Sequence, residues 1–268
     1  MTDRSPSSTI LDRIVQAAED RMAATPPRPD LEEAAHAAVD RRSAQGLRSL
    51  RQALAAPGPQ ILAECKHASP SAGVLREPFD PVALARAYEA GGAAAISVVV
   101  EPDFFLGDPD WIPEVRKAVT LPVLRKDFIV SERQLYETAL LGADAVLLIQ
   151  RLLTPERTTT LLDLAHELEL EVLLEIFVDE DPESAVASGA KILGVNARNL
   201  ATFETSVDRV IELGSALPAD RVRVAESGIK DHADISRLAE AGYDAFLIGE
   251  TLVRSSDPAR AVAELAGR

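Results

Sequence analysis

LPVLRKDFIVSERQLYETALLGADAVLLI, residues 121–149, carries the pattern that decides the fold. A Leu/Val-rich run meets three consecutive charges, Arg125, Lys126 and Asp127. A helix-period segment follows and closes on Gly142, and a fully apolar run, 145–149, completes the unit. An apolar strand, a helix ending on glycine and a second apolar strand are the parts of a parallel βαβ unit. Lys126 is the residue such a strand delivers at its exit end. Alternation turns Arg125 and Asp127 the other way, toward a helix layer where each can pair with the other.

The same plan repeats outward in both directions. ILAECK (61–66), AAISVVVE (94–101), PVLRKDF (122–128), AVLLI (145–149), EVLLEIF (171–177), KILGVNA (191–197), RVRVAES (221–227) and AFLIGE (245–250) read as strands with helical segments between them. Eight strand–helix units predict an α/β fold, a (β/α)8 TIM barrel. An open doubly wound sheet would carry G-x-G-x-x-G or G-x-x-x-x-G-K-[ST], and neither occurs. ILDRIVQAAEDRMAA and LEEAAHAAVDRRSAQ, separated by TPPRPD, are amphipathic helices. The expectation is one barrel domain over 1–268, whose first 60 residues form a helical extension packed over one end.

The chain has 268 residues, 47% of them hydrophobic, and a net charge of −15. That charge argues against nucleic-acid and anionic-membrane partners, which need a basic field. The acidic surplus fits a high-salt habitat or simply a well-solvated surface. No apolar run is long enough for a membrane span and the N-terminus lacks a signal-peptide layout, so a cytoplasmic location is expected. Cys65 is the single cysteine, which excludes an internal disulfide and a thiolate metal cage. The histidines at 36, 67, 166 and 232 have no ligand spacing, and no metal site is expected. His67 reads as a packing residue.

In a barrel of this kind, chemistry sits at the strand exits. Glu64 and Lys66 leave strand 1 on one face, Glu101 ends strand 2, Lys126 strand 3, and Glu175 lies in strand 5. Asn196 and Arg198 follow strand 6, Glu226 and Ser227 strand 7, and Gly249 strand 8. A lone charge at a strand end is ordinary rim. Two lysines and three carboxylates converging on one mouth can compensate one another and support proton transfer. Small residues after strands 7 and 8 suit a phosphate site.

ILAECKHASPSAG, ISVVVEPDFFLGD, LPVLRKDFIVSERQLYETALLGADAVLLI, ILGVNARNLATFE and VAESGI resemble, in order, the motifs of the indole-3-glycerol phosphate synthase family, and ILDRIVQAAEDR resembles its extra helix. The resemblance implies a cofactor-free carboxy-lyase of tryptophan biosynthesis. It would close 1-(2-carboxyphenylamino)-1-deoxyribulose 5-phosphate, a small-molecule phosphosugar, into an indole with loss of carbon dioxide and water. It implies Lys126 as general acid and Lys66 as partner of the substrate carboxylate, with a share in dehydration. Glu175 would be base or acid in dehydration, and Glu64 would hold the lysines. Asn196, Arg198, Glu226 and Ser227 would orient substrate. Ser69, Gly228 and Gly249 would contact phosphate, and Phe105 and Phe128 would line the aromatic pocket. A monofunctional monomer is expected. The chain departs from the family pattern at Cys65, Phe177, Ala197 and Asn199, beside the working positions. The rivals are a phosphosugar isomerase, which needs only one acid and one base, and a non-catalytic binding barrel, in which an intact charged set would not be expected.

Overall fold

The computed structural model describes residues 9–26, 28–198 and 204–268. Eight parallel strands close on themselves in chain order. They are β1 (Gln60–Cys65), β2 (Ala95–Val99), β3 (Val123–Lys126), β4 (Ala145–Ile149), β5 (Glu171–Phe177), β6 (Ile192–Asn196), β7 (Val222–Glu226) and β8 (Ala245–Ile248). Closure comes from Gln60 pairing with Ala245 on one side of β1 and Leu62 with Ala95 on the other. β4 and β5 match the spans read from sequence, β1 is shifted one residue toward the N-terminus, and the other five stop one or two residues short at the exit end, where the chain has already left the ladder. A short antiparallel hairpin, Ala68–Ser69 with Gly73–Val74, follows β1.

Period-2 alternation sorts the strand residues into two cores. Leu62, Leu124, Leu147, Leu173, Val224 and Leu247 fill the barrel interior. Ile61, Ile96, Val123, Val146, Leu174 and Ala225 face outward, packed under the helices. Arg125 and Asp127 go outward as well, and they pair at 2.8 Å, both almost fully buried. Arg125 also donates to the Gln134 carbonyl and Thr138 Oγ1 on the helix that follows. Cys65 points the same way; burial raises its thiol pKa, so it is an inert packing group.

Three helices precede the barrel: α1 (Ile10–Ala24), α2 (Leu31–Gln45) and α3 (Leu50–Leu54). A reciprocal cap between Thr9 and Asp12 starts α1. The extension does not sit at one end as expected; it straddles the barrel. Ile10, Leu11 and Ile14 of α1 reach the mouth, while Leu50 and Leu54 of α3 plug the opposite end of the interior core. The 15 residues of α2 span about 22 Å, enough to bridge the two ends. Arg42 staples α2 in place: it is buried and donates to the carbonyls of Ala143, Leu168 and Glu169. Carbonyls left free at helix ends are natural acceptors for a cation. Outside the barrel run α4 (Pro81–Ala90), α5 (Pro102–Phe105), α6 (Trp111–Ala118), α7 (Glu132–Leu141), α8 (Pro155–Glu167), α9 (Glu183–Ala187), α10 (Val207–Gly214), α11 (His232–Glu240), α12 (Glu250–Val253) and α13 (Pro258–Leu265). No helix among the described residues is long and apolar enough to cross a membrane.

Candidate active site

The inward residues at the exit ends of the strands form one network. Lys66 Nζ lies 2.8 Å from Glu64 Oε1. Lys126 Nζ lies between two carboxylates, 3.8 Å from Glu64 Oε2 and 3.9 Å from Glu175 Oε2. Asn196 Nδ2 donates to Glu175 Oε2 at 3.1 Å, and Asn196 Oδ1 accepts from the Arg198 N–H at 3.0 Å. Arg198 donates onward to Ser71 Oγ at 2.9 Å. Strand register accounts for the order, since Phe177 pairs with Asn196 and Asn196 with Glu226.

Burial and charge act in opposite directions here. Burial alone would lower the Lys126 pKa, but Glu64, Glu175 and Glu226 together outweigh it and hold the ammonium above its ordinary range. Burial would raise Glu64, yet Lys66 and Lys126 keep its carboxyl below the usual carboxylate value. The network therefore presents Lys126 as a charged ammonium, ready to donate a proton or bind an anion, beside ionised Glu64.

Glu226 differs from the rest. It is 1% exposed, its carboxyl buried beside that of Glu175. It lies beneath the pocket floor rather than on its lining. Burial, followed by the charge of Glu175, raises its pKa well above the ordinary value. A raised folded-state pKa gives a stability contribution that is complete below the unfolded value, near 4.5. That contribution is lost as pH rises toward the folded value. Glu226→Gln should therefore melt above wild type at pH 7–8, with the gain disappearing below about pH 4.5; scanning calorimetry across that range checks it.

Gly194 makes the room that Glu226 occupies. A Cβ there would fall 2.2 Å from Glu226 Oε1 and 3.2 Å from Leu173 Cδ1. Gly194→Ala is expected to displace the carboxyl and lower kcat by about 10²-fold, the scale of an ångström-sized misplacement. Combined with Glu226→Gln it should add little further loss, which a double-mutant cycle measures.

The mouth has two lobes. One is apolar, walled by Phe105, Phe128, Phe177, Leu147 and Ile149 and roofed by α1. The rings of Phe105 and Phe128 lie 6.0 Å apart. The other is polar, built from the turns after β7 and β8 with Thr205, Lys230 and Arg254. Lys66, Arg198 and Ser227 border both. Ser227 and Gly228 have φ of 68° and 76°, a left-handed pair that turns the chain sharply at the polar lobe. Gly249 is required there: a Cβ would lie 2.4 Å from Glu64 Oε1 and 3.1 Å from Lys66 Nζ.

The structure brings Glu64, Lys66, Lys126, Glu175, Asn196, Arg198, Ser227, Phe105 and Phe128 to one mouth, with Gly228 and Gly249 in its polar lobe. Ser69 borders the apolar lobe, where its Oγ accepts from the Ala72 N–H. Glu101 does not face the mouth as its strand-end position implied. Its carboxylate is fully buried and accepts from the N–H groups of Asp103, Phe104 and Phe105. Those free N–H groups of α5 capture it. His67 stacks on Phe79 at 4.8 Å, a packing role. Ala197 is buried under the helices, Phe177 holds Arg151 over its ring at 4.5 Å, and Asn199 lies outside the described residues. Sequence reasoning missed Ile10, Leu11 and Ile14, Lys230 and Arg254. The apolar stripe of α1 was visible, but nothing in it distinguished a roof from a core contact.

The family model for indole-3-glycerol phosphate synthase matches residues 11–265. Among curated proteins, the chain is 45% identical over 259 residues to an indole-3-glycerol phosphate synthase of Desulfotalea psychrophila, covering 96% of this chain and 98% of that one. One from Lachnoclostridium phytofermentans is 43% identical over 258 residues, covering 92% and 95%. One from Carboxydothermus hydrogenoformans is 47% identical over 219 residues, covering 80% and 83%.

Proposed function

The chain belongs to the indole-3-glycerol phosphate synthase family, and from that premise we propose how its residues divide the reaction. The enzyme is a carboxy-lyase of tryptophan biosynthesis that converts 1-(2-carboxyphenylamino)-1-deoxyribulose 5-phosphate to indole-3-glycerol phosphate, carbon dioxide and water. Lys126 is the general acid. As the carboxylate-bearing ring carbon bonds to the ketose carbon, the carbonyl oxygen takes a proton from Lys126 Nζ. Loss of carbon dioxide leaves its electron pair in the ring. The new hydroxyl then departs as water, with a proton supplied to it and another removed from the substrate.

Lys66 binds the substrate carboxylate and shares the dehydration transfers with Glu175, while Glu64 holds both ammonium groups. Asn196, Arg198 and Ser227 orient substrate, and Glu226 acts on it through Glu175. The ring lies between Phe105 and Phe128. The phosphate lies in the polar lobe against the backbone of Gly228 and Gly249, with Ser69 at the border. The chain works as one barrel domain with residues 1–60 as its extension. It is a cytoplasmic monomer with no nucleic-acid or membrane partner. The net charge of −15 supports this, as does the scatter of exposed large hydrophobics, Leu47, Val74 and Leu106 among the described residues.

The observation that carries the reading is Lys126 Nζ set 3.8 and 3.9 Å from Glu64 and Glu175, on the lining of the aromatic lobe, with Lys66 and Arg198 bordering the polar one. Incubating the protein with the carboxyphenylamino deoxyribulose phosphate and following indole fluorescence tests it. Absence of the signal at both low and high salt overturns it.

A further inference from the structure

Arg21 on α1 contacts two carboxylates of the loop that follows β2. Its guanidinium is 3.2 Å from Glu101 Oε1 and also bonds Asp103. Glu101 has no exposed side-chain surface, whereas Arg21 and Asp103 are 36% and 50% exposed. A buried carboxylate is costly without compensation. Here compensation comes from three N–H groups of α5, at 3.2, 2.7 and 3.2 Å, and from Arg21.

Helix α5 has four residues and ends at Phe105. A single turn has no stability of its own, so its direction depends on the carboxylate that caps it. The loop is closed by the Gly107 N–H donating to the Glu101 carbonyl at 2.8 Å. A second tie joins the same elements, with the Arg13 guanidinium 5.6 Å from the centre of the Phe104 ring. Met22 and Thr25, at the C-terminal end of α1, hold Arg133 through their carbonyls. The other end of α1 roofs the apolar lobe with Ile10, Leu11 and Ile14. One clasp thus fixes both the roof and the wall of that lobe, at a distance from Lys126.

We propose that Arg21 is a positioning residue for the aromatic half of the pocket: through Glu101 it aligns Phe105 with the roof helix, and so sets affinity for the substrate's ring. The inference rests on the reading that this lobe holds the carboxyphenylamino ring. Arg21 touches neither lysine of the network and moves no proton.

The test is kinetic. Arg21→Ala should raise KM about tenfold while kcat stays within about threefold, the pattern of lost uniform binding. Inhibition by N-methyl-2-aminobenzoate, a ring fragment, should weaken by the same factor. Inhibition by a five-carbon ketose phosphate without the ring should not change. Arg21→Lys should recover most of the lost affinity. An unchanged KM, equal weakening of both inhibitors, or a fall in kcat at constant KM overturns the proposal. If Arg21→Ala does not fold, Asp103→Asn, at a half-exposed position of the same clasp, decides it through the same inhibitor pattern. If wild type itself yields no indole, the reaction reading fails instead, and calorimetric binding of the two fragments still decides the role of Arg21.

Discussion

Lys126→Ala is expected to lower kcat by about 10³-fold or more, at the upper part of the range for a lost general acid, while a non-reacting substrate analogue still binds measurably. The size follows from the setting. Lys126 is the ammonium shared by Glu64 and Glu175, and three carboxyl groups hold it protonated. Its removal takes away the proton donor and the positive field at the carbonyl oxygen together. The polar lobe keeps Lys66 and Arg198 and the apolar lobe keeps both phenylalanines, so analogue affinity is expected to survive. Stopped-flow measurement of single-turnover indole formation, alongside analogue binding by calorimetry, checks both halves. Near-normal kcat would remove Lys126 from the role of acid.

The second large effect concerns stability, one residue further along the chain. Asp127→Ala should destabilise the protein by about 3–5 kcal/mol, the cost of stranding one member of a buried ion pair. Arg125 is 5% exposed in its side chain, and Asp127 is its carboxylate partner at 2.8 Å. Asp127 also accepts from the Phe128 N–H through its other oxygen. Asp127→Asn keeps acceptors and removes only charge, so it should lose less. Denaturant unfolding of the three proteins gives the ordering; equal midpoints for wild type and Asp127→Ala would show that the pair contributes nothing.

The barrel was legible because strand residues must alternate between two buried layers, and the outlying charges betrayed which layer each entered. Lys126 inward and Arg125 with Asp127 outward could be read from alternation alone. Glu101 could not, because its position at a strand end is shared with true mouth residues. Only the three N–H groups of α5 decide that it caps a turn. Glu226 was legible as an inward carboxyl, but its depth depends on a missing Cβ on the neighbouring strand, at Gly194, a relation between strands that no single stretch contains. The extension was legible as helices and misplaced as a unit. Pairing α1 with one end and α3 with the other depends on long-range packing, and local periodicity is silent on it.

The straddling extension also bears on how the chain is made. Residues 10–54 leave the ribosome before any barrel strand, yet Arg42 finds its acceptors at residues 143, 168 and 169, and Leu50 and Leu54 require an interior whose last strand ends at Ile248. Non-local contacts close late because the chain entropy of the intervening loop must first be overcome. A segment synthesised ahead of the whole barrel is thus among the last to find its place. Until the eighth strand is released, its apolar stripe has no permanent partner and must be carried through translation as exposed, helix-prone chain.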